Sequence, residues 1–199
     1  MQETDLSWLA SAQKGNSDAF TQMVEEFQRP VFNLCYRMLG DAAEAEDAAQ
    51  ETFLRAYRSI KRYDNSRPFP TWLMSIAAHY CIDQIRKRRM NIVPIEDLGF
   101  AELSDETPGP EQSLGRSEEQ RMVHGLLSEL TPVDRAAVVM YYWYDFSYEE
   151  IAEALSLTES AVKSRLHRAR RDMAKMIMDQ RGEVQSMKRA AQGEQSPAY

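Results

Sequence analysis

The sequence has no apolar run approaching the roughly 20 residues needed to cross a bilayer. Asp5, Lys14 and Asp18 interrupt its start, where a secretory signal would need an uninterrupted apolar core. Only two cysteines, Cys35 and Cys81, occur in 199 residues. They have no metal-ligand spacing, and in a reducing compartment they read as buried thiols acting as small hydrophobes. The three histidines, His79, His124 and His167, are scattered, and His124 reads as an ordinary helix-surface residue. There is no GxxxxGK[ST] phosphate loop, HExxH zinc motif or GxSxG nucleophile elbow. These absences point to a cytoplasmic protein without catalytic residues, metal, cofactor or stable membrane insertion. Glycine and proline are sparse at eight each, while Leu, Ala, Met, Glu and Arg dominate, so an all-α fold is expected.

The formal charge of -7 argues against nucleic acid only until its distribution is read. Arg55, Arg58, Lys61, Arg62 and Arg67 form one basic cluster, and Arg86 to Arg89 (RKRR) form another. Acids concentrate from Asp41 to Glu51 and from Glu96 to Glu111.

A third basic cluster lies in SYEEIAEALSLTESAVKSRLHRARRDM, residues 147–173. Ser147 with Glu150 makes a capping box, so a helix should start at Tyr148. Ile151, Ala152 and Leu155 give it a short apolar stripe, and Ser156 to Thr158 leave only a turn before Thr158 caps a second helix. Val162, Leu166, Ala169 and Met173 recur as one buried face of that helix. Ser160, Lys163, Ser164, His167, Arg168 and Arg171 then fall on or near the opposite face. A cationic helix face is often merely solvated. The tight turn, the caps and the basic second helix together favour a DNA-binding helix-turn-helix, its polar side chains aimed at base edges and phosphates in the major groove.

In chain order, Leu6 and Leu9 begin a short helix ending near Gly15, and Ser17 or Asp18 can cap the next. Phe20, Met23, Val24 and Phe27 keep helical period, and Pro30 should restart the pattern rather than continue it. Val31, Leu34, Cys35, Met38 and Leu39 form a further apolar face stopped by Gly40. A helix from about Asp41 to Ile60 should bury Ala49, Thr52, Phe53, Ala56, Tyr57 and Ile60. Its second stripe, Asp47, Gln50, Glu51, Leu54 and Arg58, is either a solvated acidic face or a docking surface built around a Leu.

Residues 64–70 form a loop by composition, and Thr71 can cap a helix running to about Arg89. Leu73, Ile76, Ala77 and Tyr80 fit its buried face. Tyr63, Phe69 and Trp72 beside cations suit single-stranded nucleic acid, whose unpaired bases stack on rings. The plainer alternative makes Trp72 a core anchor and the basic run a solvated helix end. From Asn91 to about Ser117, prolines 94, 108 and 110, glycines 99, 109 and 115 and surplus acid mark a flexible linker. About 25 extended residues reach at most roughly 80 to 90 Å, enough to let two modules touch separated DNA sites. Beyond it, Val123, Leu126, Leu127 and Leu130 form a helix, and Thr131-Pro132 caps the one leading into the helix-turn-helix. The polar stretch after Arg181 should fray.

Together NLCYRMLGDAAEAEDAAQETFLRAYRSI, FPTWLMSIAAHYCIDQIRKRR and LTPVDRAAVVMYYWYDFSYEEIAEALSLTESAVKSRLHRAR resemble the extracytoplasmic-function (ECF, group IV) sigma factors of bacterial RNA polymerase, in order over roughly Asp18 to Ala174. The resemblance implies two small helical domains joined by a flexible acidic linker. Residues 1–90 would be sigma region 2, 91–117 the linker, 118–180 sigma region 4 and 181–199 a polar tail.

The resemblance also implies roles for single residues. Asp47, Gln50, Glu51, Leu54 and Arg55 would dock on the β′ clamp helices of core RNA polymerase, and region 4 would meet the β flap. Tyr63, Asn65, Phe69, Trp72, His79, Arg86 and Arg88 would meet the single-stranded -10 element, with one base flipped from the stack. Ser160, Lys163, Ser164, Arg165, His167 and Arg168 would read the -35 element as duplex. The linker would thread the polymerase channel, and an anti-sigma factor would be a further partner.

Three positions depart from the family pattern. His79 stands where an Asn is frequent, Ser75 where an Arg is frequent, and Asp145 at a turn position often held by Gly. Asp tolerates a left-handed backbone better than most residues. The competing readings are a one-component regulator with an N-terminal sensing or dimerisation domain, and a nuclease using Asp41, Glu44, Glu46, Asp47 and Glu51 as metal ligands. Helical spacing scatters those five carboxylates instead of converging them.

Overall fold

The computed structural model describes residues 7–91 and 118–193, and within them the chain is helical with no strand. Residues 92–117, and with them the expected linker apart from Asn91, lie outside the described residues, as does Leu6. The helices are α1 (Leu9–Gln13), α2 (Ser17–Leu39), α3 (Ala42–Ser59), α4 (Phe69–Asn91), α5 (Glu118–Ser128), α6 (Pro132–Tyr144), α7 (Tyr148–Leu155) and α8 (Glu159–Gly193), with a 3-10 turn at Ile60–Arg62.

Local chemistry sets most of the boundaries. Asn16, rather than Ser17 or Asp18, caps α2: its side-chain oxygen accepts from the Asp18 and Ala19 amides at 2.9 and 3.1 Å. Gly40 ends that helix in the left-handed region at φ 87°. Asp41 caps α3 by accepting from the Glu44 amide at 2.9 Å. α4 begins at Phe69, two residues before the expected cap at Thr71, because Pro70 suits a first helical turn. Thr71 is instead buried inside that turn.

Two expectations fail for reasons of packing. Pro30 does not interrupt α2, although its ring costs a helix about 3 kcal/mol. Phe27, Val31 and Leu34 on either side of it are buried, and continuous burial outweighs that local penalty. Tyr57 is not buried: it is half exposed and lies edge-on to Phe20 at 4.9 Å, at the margin of the stripe formed by Ala49, Thr52, Ala56 and Ile60. α8 also continues past Arg181 to Gly193, where fraying was expected, and the rest of that stretch lies outside the described residues.

α2, α3 and α4 pack together, with an aromatic cluster at one end. Phe69 is its hub: Trp8, Phe27, Tyr63 and Trp72 all lie with ring centroids 5.0–5.4 Å from it. Trp8 donates from Nε1 to Glu26 at 2.9 Å, so its one polar atom is satisfied. Cys35 and Cys81 are both buried, as expected, and the hydrogen bond between them together with burial pushes the Cys81 thiol up, keeping it protonated.

The second set of helices does not stand apart. α6 packs on α2 and α4, α7 packs on α4, and both sets contribute to one hydrophobic core. Arg135, itself buried, joins them: it donates from Nη1 to the Met38 carbonyl near the end of α2 and from Nη2 to the Ser128 carbonyl at 2.7 Å. Burial, with Arg89 and Arg88 nearby, lowers its pKa to about 10, which still leaves it charged at neutral pH. Tyr144 donates to the Pro30 carbonyl at 2.6 Å, and Arg37 lies 5.0 Å from the Trp143 ring centre. His124 is no plain surface residue, because its ring meets Tyr36 at 4.6 Å between α5 and α2.

Arg135→Ala would leave two carbonyls without their charged donor. It is expected to lower the unfolding free energy by about 2–4 kcal/mol in urea denaturation; a loss below about 0.5 kcal/mol would show that the guanidinium does not hold the helices together.

Candidate nucleic-acid interface

The helix-turn-helix forms through the expected caps. Ser147 accepts from the Glu150 amide at 3.1 Å while Glu150 accepts from the Ser147 amide at 2.8 Å, completing the capping box. Asp145 and Ser156 take the left-handed conformations, φ 53° and 55°, that end α6 and α7. Thr158 then caps α8 by accepting from the Ala161 amide at 3.2 Å.

Val162, Leu166 and Ala169 are buried, and Met173 is partly buried, so the predicted inner face of α8 is the observed one. Ser160, Lys163, Ser164, His167 and Arg168 are exposed on the other side. Lys163 pairs loosely with Glu159 at 3.6 Å and sits over the Tyr148 ring. Arg165 is partly buried, and its Nη1 donates to Asp134 at 2.9 Å. Five side chains of hydrogen-bonding or cationic type are therefore exposed along one outward edge, with Arg165 at its margin. That edge has the shape and charge to enter a major groove.

The aromatic and basic segment before and within α4 is arranged differently from the expectation. Phe69 is 1% exposed and Tyr63 is 7% exposed. Neither ring is open to stack on a base. Their place in the aromatic cluster makes them supports for the loop, and Tyr63 donates its hydroxyl to the Arg67 carbonyl across it. Trp72 stays partly exposed, and Asn65 is exposed and donates to Gln13 at 3.3 Å. Asp64 accepts from the Ser66 amide at 2.9 Å; that bond holds its carboxyl below the usual range and tightens the loop.

His79 is exposed on α4, with Nδ1 2.8 Å from the Ser75 carbonyl. Because a carbonyl only accepts, Nδ1 carries the proton and Nε2 is left facing outward as an acceptor in the neutral ring. Arg86 is exposed, and Arg88 pairs with Glu44.

The helix-turn-helix itself touches this segment at two places. Arg67 pairs with Glu153 of α7 at 3.0 Å, and the Thr71 hydroxyl lies 3.4 Å from Glu150 Oε1. Glu150 thus uses one carboxylate oxygen in the capping box and the other across the interface. Arg67 was legible only as one member of a basic cluster, and nothing in the spacing of Thr71 marked it as a contact.

On α3, Asp47 and Gln50 are exposed, Glu51 is partly exposed and Leu54 is 51% exposed. Arg55 bonds Glu51 at 2.8 Å and lies over Tyr80 at 4.8 Å. A groove between α2 and α3, lined by Val24, Phe32, Ala49, Gln50 and Phe53, continues this stripe. Leu54 is thus a large exposed apolar side chain beside polar groups, of which Glu51 and Arg55 are paired with each other. The acids do not gather into a metal centre: Asp41 caps α3, Glu44 pairs with Arg88 and Glu51 pairs with Arg55.

An all-helical chain that packs a helix-turn-helix with an outward cationic edge against a second module bearing a basic helix has the make-up of a DNA-binding transcription protein. Comparison with known sequences gives its family. Sigma-70 region 2 matches residues 23–90, and Sigma-70, region 4 matches residues 120–173. The ECF RNA polymerase sigma factor SigW of Bacillus subtilis (strain 168) is 34% identical over 178 residues, covering 86% of this chain and 95% of that protein. The RNA polymerase sigma-H factor of Pseudomonas aeruginosa is 32% identical over 184 residues, covering 88% and 95%.

The chain belongs to the ECF sigma factors of the sigma-70 family, and its function is that of an ECF sigma factor of RNA polymerase. The same fold occurs in CnrH in complex with the cytosolic domain of CnrY, with TM-score 0.66 and 23% identity over 88% of this chain and 97% of that one. It occurs also in the sigma factor RpoE in complex with the anti-sigma factor NepR from Bartonella quintana, with TM-score 0.61 and 21% identity over 80% and 96%. The one-component reading is not favoured, because the N-terminal half that it assigned to sensing or dimerisation is the part that matches region 2.

Phe69→Ala is expected to lower stability by about 3–5 kcal/mol, as for other buried rings, read from the urea midpoint. A loss below about 1 kcal/mol would mean that the ring is free, and would restore it as a stacking platform.

Proposed function

We propose that this sigma factor meets its partners through three surfaces, and that the residue assignments follow its exposed faces. Asp47, Gln50, Glu51, Leu54 and Arg55 on α3 dock on the β′ clamp helices of core polymerase. Asn65, Trp72, His79, Arg86 and Arg88, on a loop and helix supported by Tyr63 and Phe69, meet the opened -10 strand. Ser160, Lys163, Ser164, Arg165, His167 and Arg168 read the -35 duplex. The working units are residues 1–90 and 118–180, with 91–117 as the linker and 181–199 as a tail.

What carries the proposal is the outward edge of α8, where the polar and cationic side chains predicted from spacing stand together on the solvent side. The α3 assignment is supported by Leu54, half exposed among polar groups that are already paired or solvated. The protein acts in the cytoplasm and works by binding rather than by covalent chemistry. α7 contacts Arg67 and Thr71, beside the residues assigned to the -10 strand, so the two units are expected to part when both promoter elements are engaged.

An anti-sigma factor is a further partner by analogy with RpoE in complex with the anti-sigma factor NepR. The surfaces that meet polymerase are where such a partner would compete.

Run-off transcription by purified core polymerase on a pool of genomic promoter fragments tests the reading. Product should require this chain and should fall by about tenfold or more with an Asp47→Arg, Glu51→Arg double variant of unchanged helicity, since opposed charge at a docking face costs several kcal/mol. Full activity in that variant would move the docking face elsewhere.

A further inference from the structure

Among the described residues only two charged side chains are buried, Asp134 and Arg135, adjacent at the start of α6. Arg135 faces the other module. Asp134 faces α8, and its contacts form a fan. Its Oδ2 accepts from the Thr131 hydroxyl at 2.8 Å, and Thr131 Oγ1 in turn accepts from the Asp134 amide at 3.2 Å. Its Oδ1 accepts from Arg165 Nη1 at 2.9 Å and lies 3.6 Å from Arg168 Nη2. The carboxylate side chain is 6% exposed, while Arg165 and Arg168 are 30% and 50% exposed.

We propose that Asp134 is a positioning residue for promoter recognition: anchored by Thr131 at the start of α6, it sets the Arg165 and Arg168 guanidinium groups in one orientation along the reading edge of α8. The proposal rests on the reading that this edge meets the -35 duplex. Three physical points carry it. A guanidinium has five donors in a rigid fork, so one N–H given to Asp134 leaves the rest for DNA. Fixing one end of a rotamer-rich side chain beforehand removes ordering entropy that binding would otherwise lose. Two arginines three residues apart on one helix repel, and a buried anion between them allows both to stay extended over the same edge.

The sign of the effect separates this role from simple electrostatics. A carboxylate beside a DNA-binding face repels phosphate, so removing it should tighten binding to any duplex. Loss of positioning should instead weaken binding selectively to the cognate duplex, where a fixed fork is needed for bidentate contact.

The experiment uses holoenzyme assembled from core polymerase and the full chain. The probes are a promoter duplex selected by wild-type holoenzyme from a randomised library and the same duplex with its -35 half scrambled. Asp134→Asn is expected to cut the preference for the selected duplex by about tenfold or more, with unchanged or tighter binding to the scrambled one. Asp134→Glu should be intermediate. In an Arg165→Ala background Asp134→Asn should cost clearly less preference than in the wild type, because only its longer contact with Arg168 remains.

Undiminished preference in Asp134→Asn, or equal tightening on both duplexes, overturns the proposal, as does a full additional loss in the Arg165→Ala background. If Asp134→Asn does not fold, Asp134→Glu decides, and wild-type preference there overturns it. Failure of the Arg165→Ala holoenzyme itself to lose preference would instead count against the assignment of the α8 edge.

Discussion

The buried guanidinium of Arg135 is the constraint on which the arrangement of this molecule depends. The end of α2 leaves carbonyl groups without intrahelical partners, and at Met38 they are buried under α6 rather than open to water. A cation there answers both the unpaired carbonyl and the negative end of the helix. By also holding the Ser128 carbonyl, Arg135 ties the end of α5 to α6. Everything after it follows as packing: α6 lies across α2 and α4, α7 reaches the start of α4, and Glu150 and Glu153 arrive beside Thr71 and Arg67.

That arrangement treats the two nucleic-acid surfaces unequally. The edge of α8 points outward, whereas the beginning of α4 is partly closed by α7. The contacts that close it include an exposed ion pair, Arg67 with Glu153, and a long hydrogen bond, Thr71 with Glu150. Such contacts are individually weak in water. The Arg135 bonds and the shared apolar core are the stronger part, so opening is governed there. A partner that separates α6 from α2 needs to replace those bonds with its own.

Much of this was legible in the chain, and where it was not the reason is physical. Ser147, Glu150 and Thr158 announced the helix-turn-helix because capping is a local event between residues three apart. Val162, Leu166 and Ala169 did so through their period, and Gly40 through its backbone freedom. Pro30 misled because a local penalty was outweighed by burial that periodicity cannot weigh. Tyr63 and Phe69 were read as stacking platforms because aromatic residues beside cations look alike whether the rings face bases or each other; contacts with Trp8 and Phe27, distant in sequence, decide it. Asp134 and Arg135 carried no signal at all, since a charged pair at the start of a helix is normally solvated. The packing of the two units on each other was hidden because their shared face is assembled from side chains distant in sequence, 79 positions apart for Thr71 and Glu150 and 114 for Pro30 and Tyr144.

The account stands on the two units being held closed in the free chain through Arg135. Cysteines introduced at exposed Glu25 of α2 and Lys175 of α8 would carry spin labels, the native Cys35 and Cys81 being buried and unreactive. The distance distribution between the labels, measured by pulsed dipolar spectroscopy, should be a single narrow peak in the free protein. It should broaden toward longer distances with Arg135→Ala and in holoenzyme bound to promoter DNA. A broad distribution in the free wild-type chain, unchanged by Arg135→Ala, would contradict the account.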